Sequence, residues 1–182
     1  MPQAETMRLT TARLLIRPFR PEDITDGYVA ALNDVDVVQY TEARHQTWDH
    51  DKAEAYVRAY NGKGQSILLG LFRRESEQHL GNILLHPEPR HRRVEMSFMV
   101  WDKRHWKQGY ATEAVCAVAE ACVRLLGAHK LTAGYYAPHQ ASAHVLERAG
   151  FHVEAVLRQH YVYEDRYVDG IRVARWQNDT VP

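Results

Sequence analysis

Between Val94 and Trp101 apolar and polar positions alternate. Strand period puts Val94, Met96, Phe98 and Val100 on one face and Glu95, Ser97, Met99 and Trp101 on the other. The stretch from about Ala111 to Leu126 repeats at helical spacing instead, with Val115, Val118, Cys122 and Leu125 along one face. Upstream, Leu14–Pro18 reads as a strand. Pro21-Glu22-Asp23 reads as a helix start with acid in its first turn, running to about Asn33. A second helix is expected from Asp49 to about Tyr60, stopped by Asn61-Gly62, with a turn at Gly62-Lys63-Gly64. Gln65–Arg73 and His79–His86 look like paired strands. A strand at Lys130–Tyr136 and a short helix at Gln140–Ala149 follow. Val153–Tyr163 and Arg166–Trp176 then form a long hairpin around Glu164-Asp165. The order is mixed α/β.

The join between the alternating strand and the long helix reads QGYATEA, Gln108 to Ala114. A strand, a glycine-containing connection and a helix opening together suit a pyrophosphate. The helix start offers unpaired N–H groups and the positive end of its dipole, and Gly109 lacks a Cβ. The same residues also suit a plain chain reversal, and periodicity leaves both readings open.

The 182 residues fit one domain, drawn at residues 8–178 after a loosely ordered lead-in at 1–7. The 23 basic and 23 acidic side chains cancel, so no global field draws the chain to nucleic acid or an anionic membrane. Arg90, His91, Arg92 and Arg93 form one tight basic cluster, read as a solvated loop or a meeting point for an acidic acceptor. No apolar leader is visible, and no apolar run reaches the roughly 18 residues a spanning helix needs. Cys116 and Cys122 lie too far apart on one helix to pair, and two core thiols fit a reducing cytoplasm. The eleven histidines lack HExxH or CxxC-type spacing, so no metal is expected.

The segment from Val94 to Phe151 resembles the GNAT superfamily of acyl-CoA-dependent N-acetyltransferases, and within it the RimJ/RimL-like branch. The superfamily's phosphate motif Q/R-x-x-G-x-G/A is matched by Trp106, Gly109 and Ala111, with Trp in the first position. Where the branch reads WGKGYATEA this chain has WKQGYATEA, Lys107 replacing a glycine. In HQASAHVLERAGF, His139 to Phe151, Ser142, Gly150 and Phe151 match the branch's N-x-x-S and Gly-Phe elements; His139 stands for the Asn and Arg148 for a Lys. RLLIRPFRPED, Arg13–Asp23, resembles its first strand and helix start.

The resemblance implies a central, mostly antiparallel sheet flanked by helices and splayed between the strands at Val94 and Lys130. Acetyl-CoA would lie in the opening as co-substrate, without a metal. Backbone groups of Phe98, Met99 and Val100 would pair with its pantetheine arm and supply an oxyanion donor. Trp106, Lys107, Gln108, Gly109, Tyr110, Ala111 and Thr112 would form the phosphate corner. Many relatives pair as homodimers.

Acetyl transfer to an amine needs a neutral amine, a donor for the tetrahedral oxygen and a proton for the leaving thiolate. Glu95, fourteen residues before Gly109, sits where some family members place a glutamate base, acting directly or through water; a purely structural hydrogen bond is the competing reading. The tyrosine acid of many members would fall at Leu146, so Ser142 is the candidate near the sulfur, against a role as helix cap. His139 is read as a pantetheine contact, a group titrating near pH 6.5 or a surface residue. Tyr40, Trp48, His86 and His160 are candidates for the acceptor pocket. The acceptor expected from RimJ/RimL resemblance is a peptide or protein N-terminal α-amine. The alternatives are a small amine, such as a nucleotide-linked amino sugar or polyamine, and a non-catalytic CoA-binding module.

Overall fold

The computed structural model describes residues 7–61 and 66–178; the glycine turn expected at Gly62-Lys63-Gly64 lies outside them. Eight strands make one sheet in the order β1-β2-β3-β4-β5-β6-β8-β7. They are β1 (Leu9–Thr10), β2 (Leu14–Pro18), β3 (Ile67–Arg73), β4 (His79–Glu88), β5 (Arg93–Val100), β6 (Lys130–Tyr136), β7 (His152–Tyr163) and β8 (Arg166–Trp176). Every adjacent pair is antiparallel except β5 and β6. The helices are α1 (Asp26–Leu32), α2 (Val35–Val38), α3 (His50–Asn61), α4 (Tyr110–Leu126) and α5 (Gln140–Arg148).

Alternation along β5 separates two cores. Val94 and Met96 are buried with Val115, Val118 and Cys122 of α4, and Phe98 and Val100 pack against the same cluster. Met99 and Trp101 pack on the opposite face, against an aromatic core of Phe19, Tyr28, Trp48 and Phe72 under α1 and α3. Met7, placed in the loose lead-in, is instead 1% exposed and belongs to the first core. Cys122 is buried and its thiol is pushed up to about 12 by desolvation, whereas Cys116 is only half-buried. Arg90, His91 and Arg92 of the basic cluster lie in the exposed turn between β4 and β5, and Arg93, the first residue of β5, pairs with Glu88 at 2.6 Å.

The helix expected from Pro21 to Asn33 is broken in two. Pro21–Asp23 make one 3-10 turn. Asp23 is drawn back by both Arg17 guanidinium nitrogens at 2.7 Å and by the Arg20 N–H at 2.9 Å. The chain then extends at Ile24, and Thr25 opens a new helix by accepting the Tyr28 N–H at 3.2 Å. The short strand β1 and the single-turn helix α2 carry too few residues for periodicity to reveal them.

Candidate active site

Parallel β5 and β6 pair over three rungs only: Arg93↔Lys130, Val94↔Leu131 and Glu95↔Thr132. Past Glu95 each strand stays with its outer neighbour, β5 with β4 as far as Val100↔Gly81 and β6 with β8 as far as Tyr136↔Gly170. Their inner edges separate, so the backbone groups of Phe98 face a gap rather than a strand, whereas the Met99 carbonyl, expected to pair with pantetheine, turns the other way, against Gly81 of β4. A cavity of about 550 Å³ reaches this fork and is lined there by Glu95, Phe98, Met99, Gly134, His139 and Ser142.

The opening of α4 is built from backbone. Gly109 is its N-cap at φ +81°, ψ 3°. A Cβ there would meet only the Arg13 guanidinium at 3.4 Å, so left-handed backbone is what calls for glycine, more than space. The N–H groups of Tyr110, Ala111 and Thr112 have no acceptor among the described residues. Lys107, exposed and without a carboxylate partner among the described residues, also takes left-handed backbone, φ +59°. The loop therefore keeps a conformation suited to the glycine that Lys107 replaces, at the cost of strain in a residue with a side chain.

Arg13 of the chain's start holds this corner. It donates to Gln108 O at 2.8 Å and to Glu113 Oε2 at 2.7 Å, and its guanidinium lies 4.3 Å over the Tyr110 ring. Glu113 Oε1 also accepts from the Arg13 N–H at 2.8 Å and Thr11 Oγ1 at 2.5 Å. Burial opposes ionisation of Glu113, but the hydrogen bonds from Thr11 and Arg13 outweigh it and hold the carboxyl below its usual range. Trp106 donates its indole N–H to Val100 O at 2.7 Å. That carbonyl, expected to pair with pantetheine, is thus already taken, and Trp106 pins the strand end rather than mimicking the Gln or Arg it replaces.

Glu95 stands on the last shared rung, where the fork begins. Its Oε1 accepts from Arg172 Nη1 of β8 at 2.6 Å, with both side chains 41% exposed. Ser142 lies in the first turn of α5 and is 8% exposed. The N-cap is His139, so capping does not explain Ser142, whose hydroxyl bonds to no described residue. Leu146 is buried, 1% exposed, confirming that no phenol occupies that turn. The His139 ring stacks on Tyr40 at 4.5 Å, and burial lowers its pKa below 6.5, so it is a neutral wall residue at pH 7 rather than a group titrating near 6.5.

Toward the acceptor side, Tyr40 also stacks on Tyr163 at 4.9 Å, and Tyr136 on Tyr161 at 3.9 Å. The Tyr136 hydroxyl donates to Glu42 Oε1 at 3.0 Å and accepts from Arg44 at 3.1 Å. Tyr40 and Trp48 line the cavity; His86 and His160 do not. His86 faces Ser66 Oγ at 2.8 Å, and His160 is exposed on β7, where strand alternation turns its neighbour Tyr161 inward instead. Arg172, Tyr28, Tyr56, Tyr161 and Asn82, all on the cavity wall, and the Arg13–Glu113 pair escaped notice because their roles depend on contacts between distant segments.

The family model described as an acetyltransferase (GNAT) domain matches residues 13–152. The chain is a GNAT-family acetyltransferase. The uncharacterized N-acetyltransferase YoaA of Bacillus subtilis (strain 168) is 27% identical over 160 residues, covering 86% of this chain and 89% of that protein. Among solved structures, spermidine N-acetyltransferase from Vibrio cholerae, in complex with CoA and spermine, superposes with TM-score 0.81 at 17% identity. It covers 93% of this chain and 98% of its own. RimL, a ribosomal L7/L12 α-N-protein acetyltransferase in complex with coenzyme A, gives 0.82 at 15%, over 92% and 96% of the two chains. This GNAT enzyme is thus an N-acetyltransferase with acetyl-CoA as co-substrate. The fork and the open amides of α4 fit that thioester. Among the described residues no His, Cys, Asp or Glu group is placed to hold a metal, and no helix is long and apolar enough to cross a membrane.

Proposed function

We propose that this enzyme acetylates the α-amine at a peptide or protein N-terminus, by direct attack within a ternary complex. The observation that carries the reading is the state of the two carboxylates on the cavity wall. Glu95 is paired with Arg172, which cancels its charge, and Glu42 accepts the Tyr136 hydroxyl. Such a wall offers a polycation little field and a lysine-like amine no carboxylate without a partner. Freeing a lysine-like amine of its proton at pH 7 costs about 4.6 kcal/mol, against about 1–1.4 kcal/mol for an α-amine. The weaker demand suits the weaker site.

In this reading the amides of Tyr110, Ala111 and Thr112, with Gln108 and Lys107 beside them, hold the diphosphate. The free edge at Phe98 aligns the pantetheine arm and presents an N–H to the thioester oxygen. Glu95, through a water, takes the proton that the amine sheds. The amine nitrogen bonds to the acetyl carbon, the C–S bond breaks, and the Ser142 hydroxyl protonates the departing thiolate and is reprotonated from solvent.

One observation favours a small cationic amine instead: the stacked tyrosine faces of Tyr40, Tyr136 and Tyr161 beside Glu42, a surface that attracts cations. Release of free thiol from acetyl-CoA separates the two. Turnover is expected with N-terminal peptides, and a much weaker response with polyamines and amino sugars. Peptides left unmodified while spermidine releases thiol would overturn the α-amine reading.

A further inference from the structure

The end of the cavity away from Ser142 is walled by Tyr28, Leu32, Trp48, Tyr56, Leu68 and Asn82, none of them charged. Tyr28 is 3% exposed, its ring held edge-on by Phe19 at 5.3 Å and by His79 at 5.2 Å. Its hydroxyl nevertheless bonds to no described residue, and the same holds for Tyr56, whose ring meets Trp48 at 5.7 Å. Burial raises the pKa of both phenols, that of Tyr56 to about 12, so both keep their protons at neutral pH.

The same wall carries another unmatched atom. Asn82 is 6% exposed and donates Nδ2–H to Leu69 O at 3.3 Å, which fixes its orientation, while buried Oδ1 has no partner. Neighbouring His79 gives its Nε2–H to Gly81 O at 2.8 Å, and its Nδ1 accepts from the Trp101 indole at 3.2 Å. Buried polar groups in folded proteins are nearly always matched, and leaving one unmatched costs about 1–3 kcal/mol. Two phenol hydroxyls with no partner among the described residues, on the cavity wall beside the buried Asn82 Oδ1, point to an occupant. Asn82 faces Met99 in the β4–β5 register, so this end adjoins the strand edge where the fork opens.

We infer that this end is a specificity subsite, in which the Tyr28 and Tyr56 hydroxyls donate to an uncharged oxygen-bearing group, a hydroxyl or a carboxamide, next to the acceptor's reactive amine. The inference rests on the cavity being the acceptor site. A charged group would be stranded here, since no opposite charge lines the wall. A purely apolar group would fill the space and leave the phenols unmatched.

The test compares kcat/KM for peptides beginning with serine against alanine and with asparagine against leucine, in wild type and in Tyr28→Phe, Tyr56→Phe and the double variant. Phenylalanine keeps the ring packing. Wild type is expected to prefer the oxygen-bearing member by about tenfold, with each variant losing roughly threefold or more of that preference. Thermal unfolding of the free Tyr28→Phe enzyme should be unchanged or higher, because the lost hydroxyl was unmatched; a hydroxyl with a structural partner would give a lower midpoint. Ratios near one in wild type, or undiminished in the double variant, overturn the proposal and show that the end holds water alone. Should peptides be inert while small amines react, ethanolamine against propylamine reads the same preference. Failure of the α-amine reading is then distinguishable from failure of the subsite.

Discussion

The two ends of this site are made differently. The corner at Gly109 is backbone: open amides, two left-handed residues and one arginine that ties the loop to β2. The acceptor cavity is side chain, with aromatic rings contributed by α1, α3, β6, β7 and the segments around them. Backbone recognition suits a ligand that never changes, because few substitutions disturb it. A wall of side chains can be re-specified residue by residue while the corner stays fixed, which fits one coenzyme serving many acceptors.

Changes confined to one end should therefore leave the other's binding untouched. The largest effect is expected from Glu95→Gln, which should lower kcat by about 10²-fold or more at neutral pH with little change in acetyl-CoA affinity. A rate unchanged between pH 6 and 9 would reduce Glu95 to the partner of Arg172.

Next comes acid sensitivity behind the acceptor wall. Burial drives the His79 pKa from 6.5 down to about 4. Between those values the unfolded chain binds a proton that the folded chain refuses. Stability is therefore complete above pH 6.5 and falls as pH drops toward 4, by about 3 kcal/mol. His139, lowered in the same direction, adds to the trend. Thermal unfolding followed from pH 7 to 4 should show the loss, and His79→Gln should flatten it; an equally steep profile in the variant would place the loss elsewhere.

Gly109→Val forces a β-branched residue to φ +81° and should weaken acetyl-CoA binding about tenfold, with strain of about 1–2 kcal/mol and no change in acceptor preference. Calorimetry returning wild-type affinity would move the diphosphate away from this corner. The smallest effect belongs to Arg13→Gln. With Arg13 43% exposed its ion pair contributes up to about 1 kcal/mol, so a loss of roughly threefold or less in coenzyme affinity is expected. A tenfold loss would mean that Arg13 touches phosphate directly.

The contrast also decides what could be read from the chain. Gly109 before an amphipathic helix, and alternation from Val94 to Trp101, are local patterns, and both elements lie where those patterns put them. The fork between β5 and β6 came from family resemblance, since no periodicity encodes which strands separate. Inside the cavity Tyr40 and Trp48 fell in place while His86 and His160 did not. An aromatic residue's sequence neighbours do not reveal the face on which a bulged hairpin presents it, and β7 shifts register between Leu157 and Tyr161. Arg172 escaped because its partner Glu95 lies on a different strand, reached only once β8 has docked on β6.

The three-rung overlap of β5 with β6 divides the sheet into a five-stranded and a three-stranded portion joined by a short seam. A pantetheine arm bridging the open edges would extend that seam, so the coenzyme doubles as a splint. At a hundredfold excess over its dissociation constant such a ligand adds about 2.7 kcal/mol to the folded state. Each departure of coenzyme then returns the molecule to its looser form, linking endurance on heating to how fully the enzyme is charged.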